Sequence, residues 1–421
     1  MTRKALPLLS TLLLIGCMLS CTNAQYDWAR WRGPNADGIS METDWNPAAL
    51  NDLKVLWETN VGNGFSPVSI AGNRLYTMGN KLVVSGGDSA TKDFVYCLDP
   101  STGREIWSSS YDCLEGGWPG TRVSPTVDGS RIYTLSRAGH LYCLDANTGD
   151  VIWNRNIVED SIALEPDWGF SGSPVVHGDR LILNAGKAGL ALDKSTGDVV
   201  WKSELDKNGF ATPVIYGKAP DEKIAVFSRL DLFAVDAATG RIEWTISWKT
   251  PYEENIADPI IEGNHMFISS GYRRGCTLID FSGPEPVQVY EHKEMCNHHT
   301  NCLLVDGHLY GIHGNAMKEA SLRCMNLMSG EIIWEKPFEF SSMIAADGKL
   351  IILTESGKLH IGAFSPDGYE EISSAQVLTI EDRPNTAWHQ KCSSWTPPVL
   401  ANGKIYVRNN YGDLRCIDVS M

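Results

Sequence analysis

The sequence predicts an all-β fold, an eight-bladed β-propeller whose blades are four-stranded antiparallel sheets. The first observation is a unit of about 46 residues that recurs eight times along the chain. The second is that each unit holds short strand-like stretches separated by glycine-containing turns, a pattern typical of consecutive hairpins. The third is an additional strand near the N-terminus that matches the strand missing from the last unit.

The repeating unit is clearest in residues 124–153. A Ser-Pro step at Ser124 begins the first strand, an Asp-Gly pair at Gly129 turns the chain, and Trp153 ends the fourth strand. A four-stranded sheet cannot cover both of its faces, so units of this length stack around an axis and close into a propeller. The equivalent step begins each unit near Ser66, Ser124, Ser173, Thr212, Asp258, Asn301, Ser341 and Thr396.

The two ends of the chain are expected to share the last blade. The eighth unit reaches residues 415–418 and the sequence stops at Met421, before a fourth strand. Residues 53–57, which end in Trp57, resemble that missing strand. Pairing them with the last blade would close the ring and remove the exposed sheet edges.

Tryptophans at the ends of fourth strands are expected to be structural, each filling the gap between neighbouring blades with a large apolar ring. They are Trp57, Trp107, Trp153, Trp201, Trp244 and Trp334. The Thr-Gly pairs of several units supply the positive φ that the preceding hairpin needs. Blades five and seven lack both the Thr-Gly pair and the tryptophan, so we expect these two blades to be irregular.

The N-terminal residues read as an export signal. Two basic residues precede an apolar run over 5–15 that is too short to span a bilayer. The residues before Cys17 and before Cys21 both resemble a lipobox, which predicts lipidation of one of these cysteines; an ordinary signal-peptidase site at residues 22–24 is the alternative. We therefore expect a signal peptide over 1–20, an N-terminal extension over 21–50 and the propeller over 51–421, in a periplasmic protein or an outer-membrane-anchored lipoprotein.

Charge and cysteine placement narrow the possibilities further. The formal net charge of −15 argues against nucleic acid and against direct adhesion to anionic lipid. Equivalent positions in different units hold cysteines expected to be small buried strand residues, namely Cys97, Cys143, Cys324 and Cys416. The remaining propeller cysteines fall outside this pattern and are expected to be paired or reactive: Cys113, Cys276, Cys296, Cys302 and Cys392.

The unit endings carry a family resemblance. Asp-x-x-Thr-Gly-x-x-x-Trp occurs at residues 99–107, 145–153, 193–201 and 236–244. In these residues the chain resembles the PQQ-like repeat propellers, which include PQQ-dependent alcohol dehydrogenases and a propeller lipoprotein of the outer-membrane assembly machinery. Residues 31–40 also resemble the N-terminal signature of exported PQQ-like proteins. The chain has neither the adjacent Cys-Cys pair of the dehydrogenases nor a C-x-x-C-H haem motif, so the resemblance implies the fold more strongly than the cofactor.

The segments before each first strand are expected to surround the mouth of the central channel, where propellers bind ligands. Their large polar and aromatic residues form a candidate ligand funnel, consisting of Trp118, Arg122, Trp168, Asn208, Asn255, His298, His299, His389 and Trp395. Such a funnel could hold a planar or anionic ligand or a peptide segment. Alternatively, these side chains plug the channel and hydrogen-bond one another.

A dense group at residues 296–302 leaves several interpretations open. Cys296, His298, His299 and Cys302 are residue types that bind zinc or copper, although their spacing matches no established metal motif. A Cys296–Cys302 disulfide and ordinary packing are the alternatives. The acidic residues Glu253, Glu254 and Asp258 are expected to be solvated.

These observations predict a non-catalytic binding or scaffold propeller, and no residue is assigned a catalytic role. The expected partner is an envelope protein or a small ligand at the funnel, with a membrane contact through the lipid anchor, no nucleic acid and a monomeric chain. The cofactor is unassigned. A quinone-dependent oxidoreductase that uses PQQ is the first alternative, and a carbohydrate-binding propeller, suggested only by the many tryptophans, is the second.

Overall fold

The structure is a computed structural model that describes residues 26–85, 87–114, 116, 118, 120–382 and 391–421. The predicted signal peptide, both candidate lipidation sites (Cys17 and Cys21) and the funnel candidate His389 lie outside the described residues. Within the described ranges, no helix has the length and apolar character needed to cross a membrane.

Two strands precede blade one in the sequence and belong to the sheets of other blades. These are β1 (Ile39–Ser40) and β2 (Val55–Asn60), with a 3-10 turn at Ala49–Asp52 between them. Blade one then contains β3 (Ser69–Ala71), β4 (Arg74–Ser85), β5 (Asp88–Leu98) and β6 (Glu105–Asp112). Blade two contains β7 (Thr126–Asp128), β8 (Arg131–Leu135), β9 (His140–Asp145) and β10 (Val151–Asn156). Blade three contains β11 (Val175–His177), β12 (Arg180–Leu183), β13 (Leu190–Asp193) and β14 (Val199–Lys202).

The remaining blades follow in the same order. Blade four contains β15 (Val214–Tyr216), β16 (Lys223–Phe227), β17 (Asp231–Asp236) and β18 (Ile242–Ser247), followed by a 3-10 turn at Pro251–Glu253. Blade five contains β19 (Ile260–Glu262), β20 (His265–Ser270), β21 (Gly275–Asp280) and β22 (Val287–His292). Blade six contains β23 (Leu303–Val305), β24 (His308–Gly314), β25 (Ala320–Asn326) and β26 (Ile332–Phe338). Blade seven contains β27 (Ser341–Ala346), β28 (Lys349–Thr354), β29 (Lys358–Ser365) and β30 (Gly368–Gln376), and blade eight contains β31 (Val399–Ala401), β32 (Lys404–Arg408) and β33 (Asp413–Asp418).

The sheet order confirms the predicted eight-bladed, all-β propeller. Within every blade the strands pair antiparallel with their neighbours in sequence. Blade eight is completed by β2, which pairs antiparallel with β33 and places Trp57 opposite Cys416. The ring is therefore closed by the two ends of the propeller, as expected.

The docking tryptophans pack against the glycine turn of the following blade. Trp107 donates from Nε1 to the carbonyl of Ala146 at 3.2 Å. A Cβ added to Gly149, which has φ +78°, would lie 2.5 Å from the Trp107 ring, so the turn needs glycine both for its backbone and for this contact. The same arrangement joins Trp57 to Gly103, Trp153 to Gly197 and Trp201 to Gly240.

Blade five has neither the docking tryptophan nor the Thr-Gly turn. It is nevertheless a regular four-stranded sheet. Tyr290 stands where other blades have tryptophan, and its hydroxyl donates to the carbonyl of Leu327 in blade six at 2.8 Å. On the other side of the blade, Phe281 meets the ring of Trp244 at 6.3 Å. The expected irregularity is therefore wrong for blade five, because tyrosine and phenylalanine fill the same gaps.

Blade seven is the irregular blade. Its first strand, β27, carries β1 as a parallel fifth strand, and Ser373 occupies the position of the docking tryptophan opposite Ile361. The hydroxyl of Ser373 donates to the carbonyl of Pro47 in the N-terminal extension. Trp45, which is only 2% exposed, belongs to the same apolar cluster as residues of blades seven and eight. The extension thus covers the gap that a serine leaves.

Residues 26–46, here called the strap, run across the channel at the level of the first strands. Trp28 exchanges backbone hydrogen bonds with Ile70 in blade one, and β1 lies on blade seven. Between these two anchors, Nε1 of Trp31 donates to Oδ2 of Asp258, just before blade five, at 2.6 Å. The strap therefore connects distant parts of the ring.

Hydrogen bonds join the residues at the first-strand steps of blades two to six, along part of the channel. The backbone N–H of Ser124 donates to Oγ of Ser173 at 3.0 Å, and that of Ser173 donates to Oγ1 of Thr212 at 3.1 Å. The N–H of Thr212 donates to Asp258 at 2.7 Å, and that of Asp258 donates to Asn301 at 2.6 Å. In blades three to six, the step therefore provides a side-chain oxygen that accepts the N–H of the preceding step.

The described cysteines are all buried, and they form no disulfide with one another. The expectation of small buried strand residues is confirmed for the first set, since Cys97, Cys143, Cys324 and Cys416 stand opposite docking tryptophans in register. The expectation of paired or reactive thiols is wrong for the second set, Cys113, Cys276, Cys296, Cys302 and Cys392, which are buried. Burial raises the pKa of both Cys113 and Cys302 to about 12, which keeps these two thiols protonated and unreactive.

Candidate functional site

A cavity of about 720 Å³ lies inside the ring, walled by the segments that precede the first strands. Six of the predicted funnel residues line it, namely Trp118, Arg122, Trp168, His298, His299 and Trp395. The side chains therefore do not fill the channel completely. Trp31 of the strap also lines the cavity, and because the strap crosses the channel below these segments, we take it as the floor.

One wall is a stack of aromatic rings centred on Trp395. Phe65 lies against one face, with centroids 5.4 Å apart and planes at 12°, and His299 is stacked at 4.8 Å and 19°. Trp118 approaches at 5.5 Å with tilted planes, and Nε1 of Trp395 donates to Glu355 at 3.1 Å. Trp395 is thus already committed to protein partners and serves as a wall.

Trp168 differs from Trp395 because it is 36% exposed, and none of the ring contacts found between described residues involves it. It precedes Gly169, whose position is tight against the guanidinium of Arg122: a Cβ added there would lie 3.0 Å from Nη1. The indole of Trp168 is therefore an open ring at the cavity, and the residue that follows it in the chain lies close to Arg122.

Arg122 is the cation that lines the cavity wall in blade two. Its Nη2 donates to the carbonyl of Trp118 at 2.8 Å, and its buried Nη1 has no hydrogen-bond partner among the described residues. Burial, and then the neighbouring guanidinium of Arg137, lower the pKa of Arg122 to about 9, while Asp93 and Glu165 act in the opposite direction. The charge is therefore only partly compensated by the protein.

His298 belongs to a hydrogen-bonded group on the opposite wall. Its Nδ1 accepts the N–H of Ala316 at 3.2 Å, so its Nε2–H is directed to Oε2 of Glu254, also at 3.2 Å. Tyr272 meets the imidazole edge-on at 4.8 Å. Glu254 is only 8% exposed, which corrects the expectation that it is solvated.

His299 lies next to His298, with ring centroids 3.7 Å apart. Burial, then the neighbouring His298 and Arg122, hold the pKa of His299 well below its usual range. This imidazole is therefore neutral at physiological pH and adds no second positive charge to the cavity.

Asp258 ties the strap to the wall. One carboxylate oxygen accepts from Trp31 and the other from the N–H of Thr212, and Asn301 approaches Oδ2 at 3.4 Å. Burial raises the pKa of Asp258, and the buried Arg32 of the strap opposes that effect. The expectation that Asp258 is solvated is wrong. Both of its carboxylate oxygens accept hydrogen bonds from the protein, so its role is structural.

Two predicted funnel residues do not line the cavity. Asn255 is fully buried, and its Nδ2 donates to the carbonyls of Ser228 and Trp248 at 2.9 and 3.0 Å. Asn208 is 1% exposed and donates to the carbonyl of Gly209. Both amides satisfy backbone groups of the loops, a role that residue type alone does not distinguish from ligand binding.

The group at residues 296–302 divides between two environments. Cys302 donates to Oδ1 of Asn297 at 3.1 Å inside the blade, and Cys296 contacts the carbonyl of Lys293, whereas His298 and His299 face the cavity. No group of three or more His, Cys, Asp or Glu side chains in the described chain could hold a metal ion. Packing is therefore the interpretation that the geometry supports over a Cys296–Cys302 disulfide or a metal site.

The cavity does not suit a metal-assisted quinone such as PQQ, which carries three carboxylates on a planar ring system. Among the described residues, Arg122 is the one guanidinium that lines the cavity, and the carboxylates Glu254 and Asp258 are already bonded to protein groups. Neither is therefore available to a quinone-bound cation without breaking these contacts.

Several cavity residues were missed from the sequence. Phe210 lines the cavity in the same segment as the candidate Asn208, and Tyr272 lines it from the turn between the second and third strands of blade five, outside the segments that precede the first strands. In the sequence, Trp31 stands out only as part of the N-terminal signature. Nothing in that signature indicates that its side chain lies inside the ring. The strap contacts a residue more than 200 positions away in the sequence, so no regular spacing of residues predicts this contact.

Comparisons with known proteins agree with the repeat architecture. Residues 91–336, more than half of the chain, match a family model described as outer membrane protein assembly factor BamB. The structure of BamB from Moraxella catarrhalis is 15% identical, with a TM-score of 0.60 over 87% of this chain and 99% of that chain. A quinohemoprotein alcohol dehydrogenase from Comamonas testosteroni is 12% identical, with a TM-score of 0.66 over 93% of this chain and 80% of that chain.

A computationally designed protein, Ika8, shares the same architecture at 9% identity, with a TM-score of 0.55 over 86% of this chain and 98% of that chain. At these identities the structural likeness establishes the fold alone. No curated protein gives a significant sequence match.

Proposed function

The chain belongs to the PQQ-repeat propeller family of the outer membrane assembly factor BamB, and from this premise we propose that it is an exported, non-catalytic binding protein of the cell envelope. The cavity inside the ring takes the ligand. A lipid on Cys17 or Cys21 tethers the protein to a membrane. The family assignment and the export pattern of the N-terminal residues support the envelope location.

The observation that carries the binding function is the incompletely compensated guanidinium of Arg122 in a cavity of about 720 Å³. A pocket of this size suits a small organic molecule, since such sites usually have volumes of about 300–1,000 Å³. A buried guanidinium whose charge is only partly compensated by the described residues has a free-energy cost that an anion bound nearby would offset. If the cavity bound no ligand, an uncharged side chain in place of Arg122 would avoid this cost.

The alternative of a quinone-dependent dehydrogenase is less well supported. The carboxylates of the cavity are engaged by Tyr272, His298, Thr212 and the strap. The aromatic wall around Trp395 favours binding, which needs only shape and a few polar contacts.

The test is native mass spectrometry and metal analysis of the protein purified from its own host. We expect one small molecule per chain in the wild type, its loss in Arg122→Gln, and its retention in Arg241→Gln, a control arginine whose side chain is 71% exposed. A metal-bound quinone would make the protein an enzyme. A ligand-free chain that co-purifies with an envelope protein would move the function from the cavity to the blade surfaces.

The tether is tested separately with Cys17→Ser and Cys21→Ser. We expect one substitution to abolish incorporation of labelled fatty acid and to release the protein from the membrane fraction, because the acyl chains provide the membrane affinity. Retention of the label in both variants, or membrane release in neither, would contradict the lipoprotein assignment.

A further inference from the structure

The cavity of the proposed binding protein has an uneven distribution of charge. Arg122 lies on the side of blade two, whereas Lys318, the other cation of the lining, is exposed. The carboxylates Glu254 and Asp258 are both hydrogen-bonded to protein groups. Among the described lining residues, a ligand cation would therefore find no free carboxylate, while a ligand anion would find the guanidinium of Arg122, whose charge is only partly compensated.

The number and kind of donors limit the anion to a single negative charge. Phosphate groups are usually held by several backbone N–H groups at a helix N-terminus or by clustered arginines. In the described part of the lining, Arg122 supplies the one guanidinium, and the adjacent His299 is neutral. Arg137 stands near Arg122 but does not line the cavity, and it is partly engaged with Glu165, at 3.7 Å. One planar guanidinium matches one carboxylate.

The rings beside Arg122 indicate the rest of the ligand. Trp168 is open to the cavity, and Phe210 lines the next segment around the ring. In the neighbouring aromatic stack, which Trp118 joins, the rings of Phe65 and His299 lie against the ring of Trp395. Trp168 therefore has a face available for stacking, and the next residue in the chain, Gly169, lies close to Arg122.

We infer that the ligand is a small planar aromatic monocarboxylate, whose carboxylate binds the guanidinium of Arg122 and whose ring lies against Trp168. This inference rests on the proposed function and specifies the chemistry of the same cavity. The strap closes the far side of the channel at Trp31, so the ligand enters from the side of the segments that precede the first strands and stays within the ring.

The experiment uses matched probes that share a naphthalene ring and differ only in the polar group: 2-naphthoate, 2-naphthamide and 2-naphthyl phosphate. Isothermal titration of the full-length protein measures each affinity. We expect 2-naphthoate to bind at least about tenfold tighter than 2-naphthamide, since one hydrogen-bonded ion pair has that effect on an equilibrium. Arg122→Gln should remove this preference and leave 2-naphthamide binding unchanged, and Arg241→Gln should change neither.

The second variant tests the ring. Trp168→Ala should weaken all three probes by a similar factor, because it removes stacking area without touching the charge. Since Trp168 is exposed at the cavity, this variant is expected to fold normally and keeps the test valid if Arg122→Gln does not fold. Unchanged affinities in Trp168→Ala would overturn the assignment of the ring.

The remaining outcomes separate this inference from the proposed function. Equal binding of 2-naphthoate and 2-naphthamide, or tighter binding of 2-naphthyl phosphate, would overturn the carboxylate assignment while leaving the binding function intact. Failure of all three probes to bind a protein that carries a small molecule from its host would reject the aromatic acid alone. Absence of any host-derived small molecule would instead reject the proposed function.

Discussion

Asp93 is a buried carboxyl whose pKa is raised by its surroundings. It is 1% exposed, and Oδ1 accepts from Nδ2 of Asn80 at 2.7 Å, while Oδ2 has no partner among the described residues. Burial raises its pKa to about 6, although the hydrogen bonds of Asn80 and Cys113 oppose the shift. The folded protein therefore binds this proton more tightly than the unfolded chain does.

Asp93→Asn should accordingly stabilise the protein in a pH-dependent way. The wild type loses stability as pH rises from about 4 to about 6, because the carboxyl of Asp93 ionises more readily in the unfolded chain; the loss is absent below this window and complete above it. The shift from 3.8 to about 6 corresponds to roughly 3 kcal/mol. Urea denaturation of both proteins at pH 4 and pH 7 should show the variant gaining relative stability at pH 7. An equal difference at both pH values would contradict a raised pKa for the buried carboxyl of Asp93.

Two Trp→Ala substitutions should separate structural from ligand-binding tryptophans. Trp107→Ala removes a 9%-exposed ring that packs on Gly149 and should lower the free energy of unfolding by about 3–5 kcal/mol. Trp168→Ala, at an open ring, should change it by less than about 0.5 kcal/mol and affect binding instead. Thermal and urea denaturation measure both. Equal destabilisation would mean that Trp168 is also part of the packing.

Residue roles were predictable where a position repeats. Trp107, Trp153 and Trp201 could be assigned because the same spacing places each of them at the end of a fourth strand. Asn208 and Asn255 could not be distinguished from cavity residues, because an amide that satisfies a loop carbonyl and an amide that binds a ligand have the same sequence context. Whether such a side chain points inward depends on loop geometry that no periodicity encodes.

At the scale of elements, the strap is the feature that sets the cavity apart from an open channel. Trp31 and Asp258 form its contact with the wall, and β1 fixes its other end on blade seven. Its position could not be predicted, because it is a single segment whose partners lie in several blades. Blade five shows the opposite case, since Tyr290 performs the tryptophan's role without matching the repeat.

Trp31→Phe should loosen the strap and weaken ligand binding. The substitution keeps an aromatic ring but removes the N–H that donates to buried Asp258, with an expected cost of about 1–3 kcal/mol. Hydrogen exchange of the backbone amides in residues 28–40 should become faster, and probe affinity should fall. Unchanged exchange in this segment would show that the bond to Asp258 does not hold the strap in place.

At the scale of the whole molecule, the ring closes by pairing β2 with β33, where Trp57 meets Cys416. This closure was predictable because the last unit lacks one strand and residues near the N-terminus match it. The number of blades followed from the repeat in the same way. The cavity was only partly predictable, since its wall comes from the repeat but its floor comes from the strap.

Removing β2 should open the ring. A chain that begins at Val61 leaves the edge of β33 unpaired and Gly103 without its tryptophan contact. Calorimetry should show a lower and broader transition than that of a chain that begins at Tyr26, and size-exclusion chromatography should show self-association through the open edge. A sharp, unshifted transition in the shorter chain would contradict closure by the two ends.

The central claim, that the cavity of this propeller is a ligand site, is tested most directly by a crystal structure of the protein purified from its own host. We predict non-protein electron density inside the ring, beside the guanidinium of Arg122 and against the ring of Trp168, and its absence in Arg122→Gln. A cavity that holds only ordered water in both proteins would contradict the claim and direct attention to the outer surfaces of the blades.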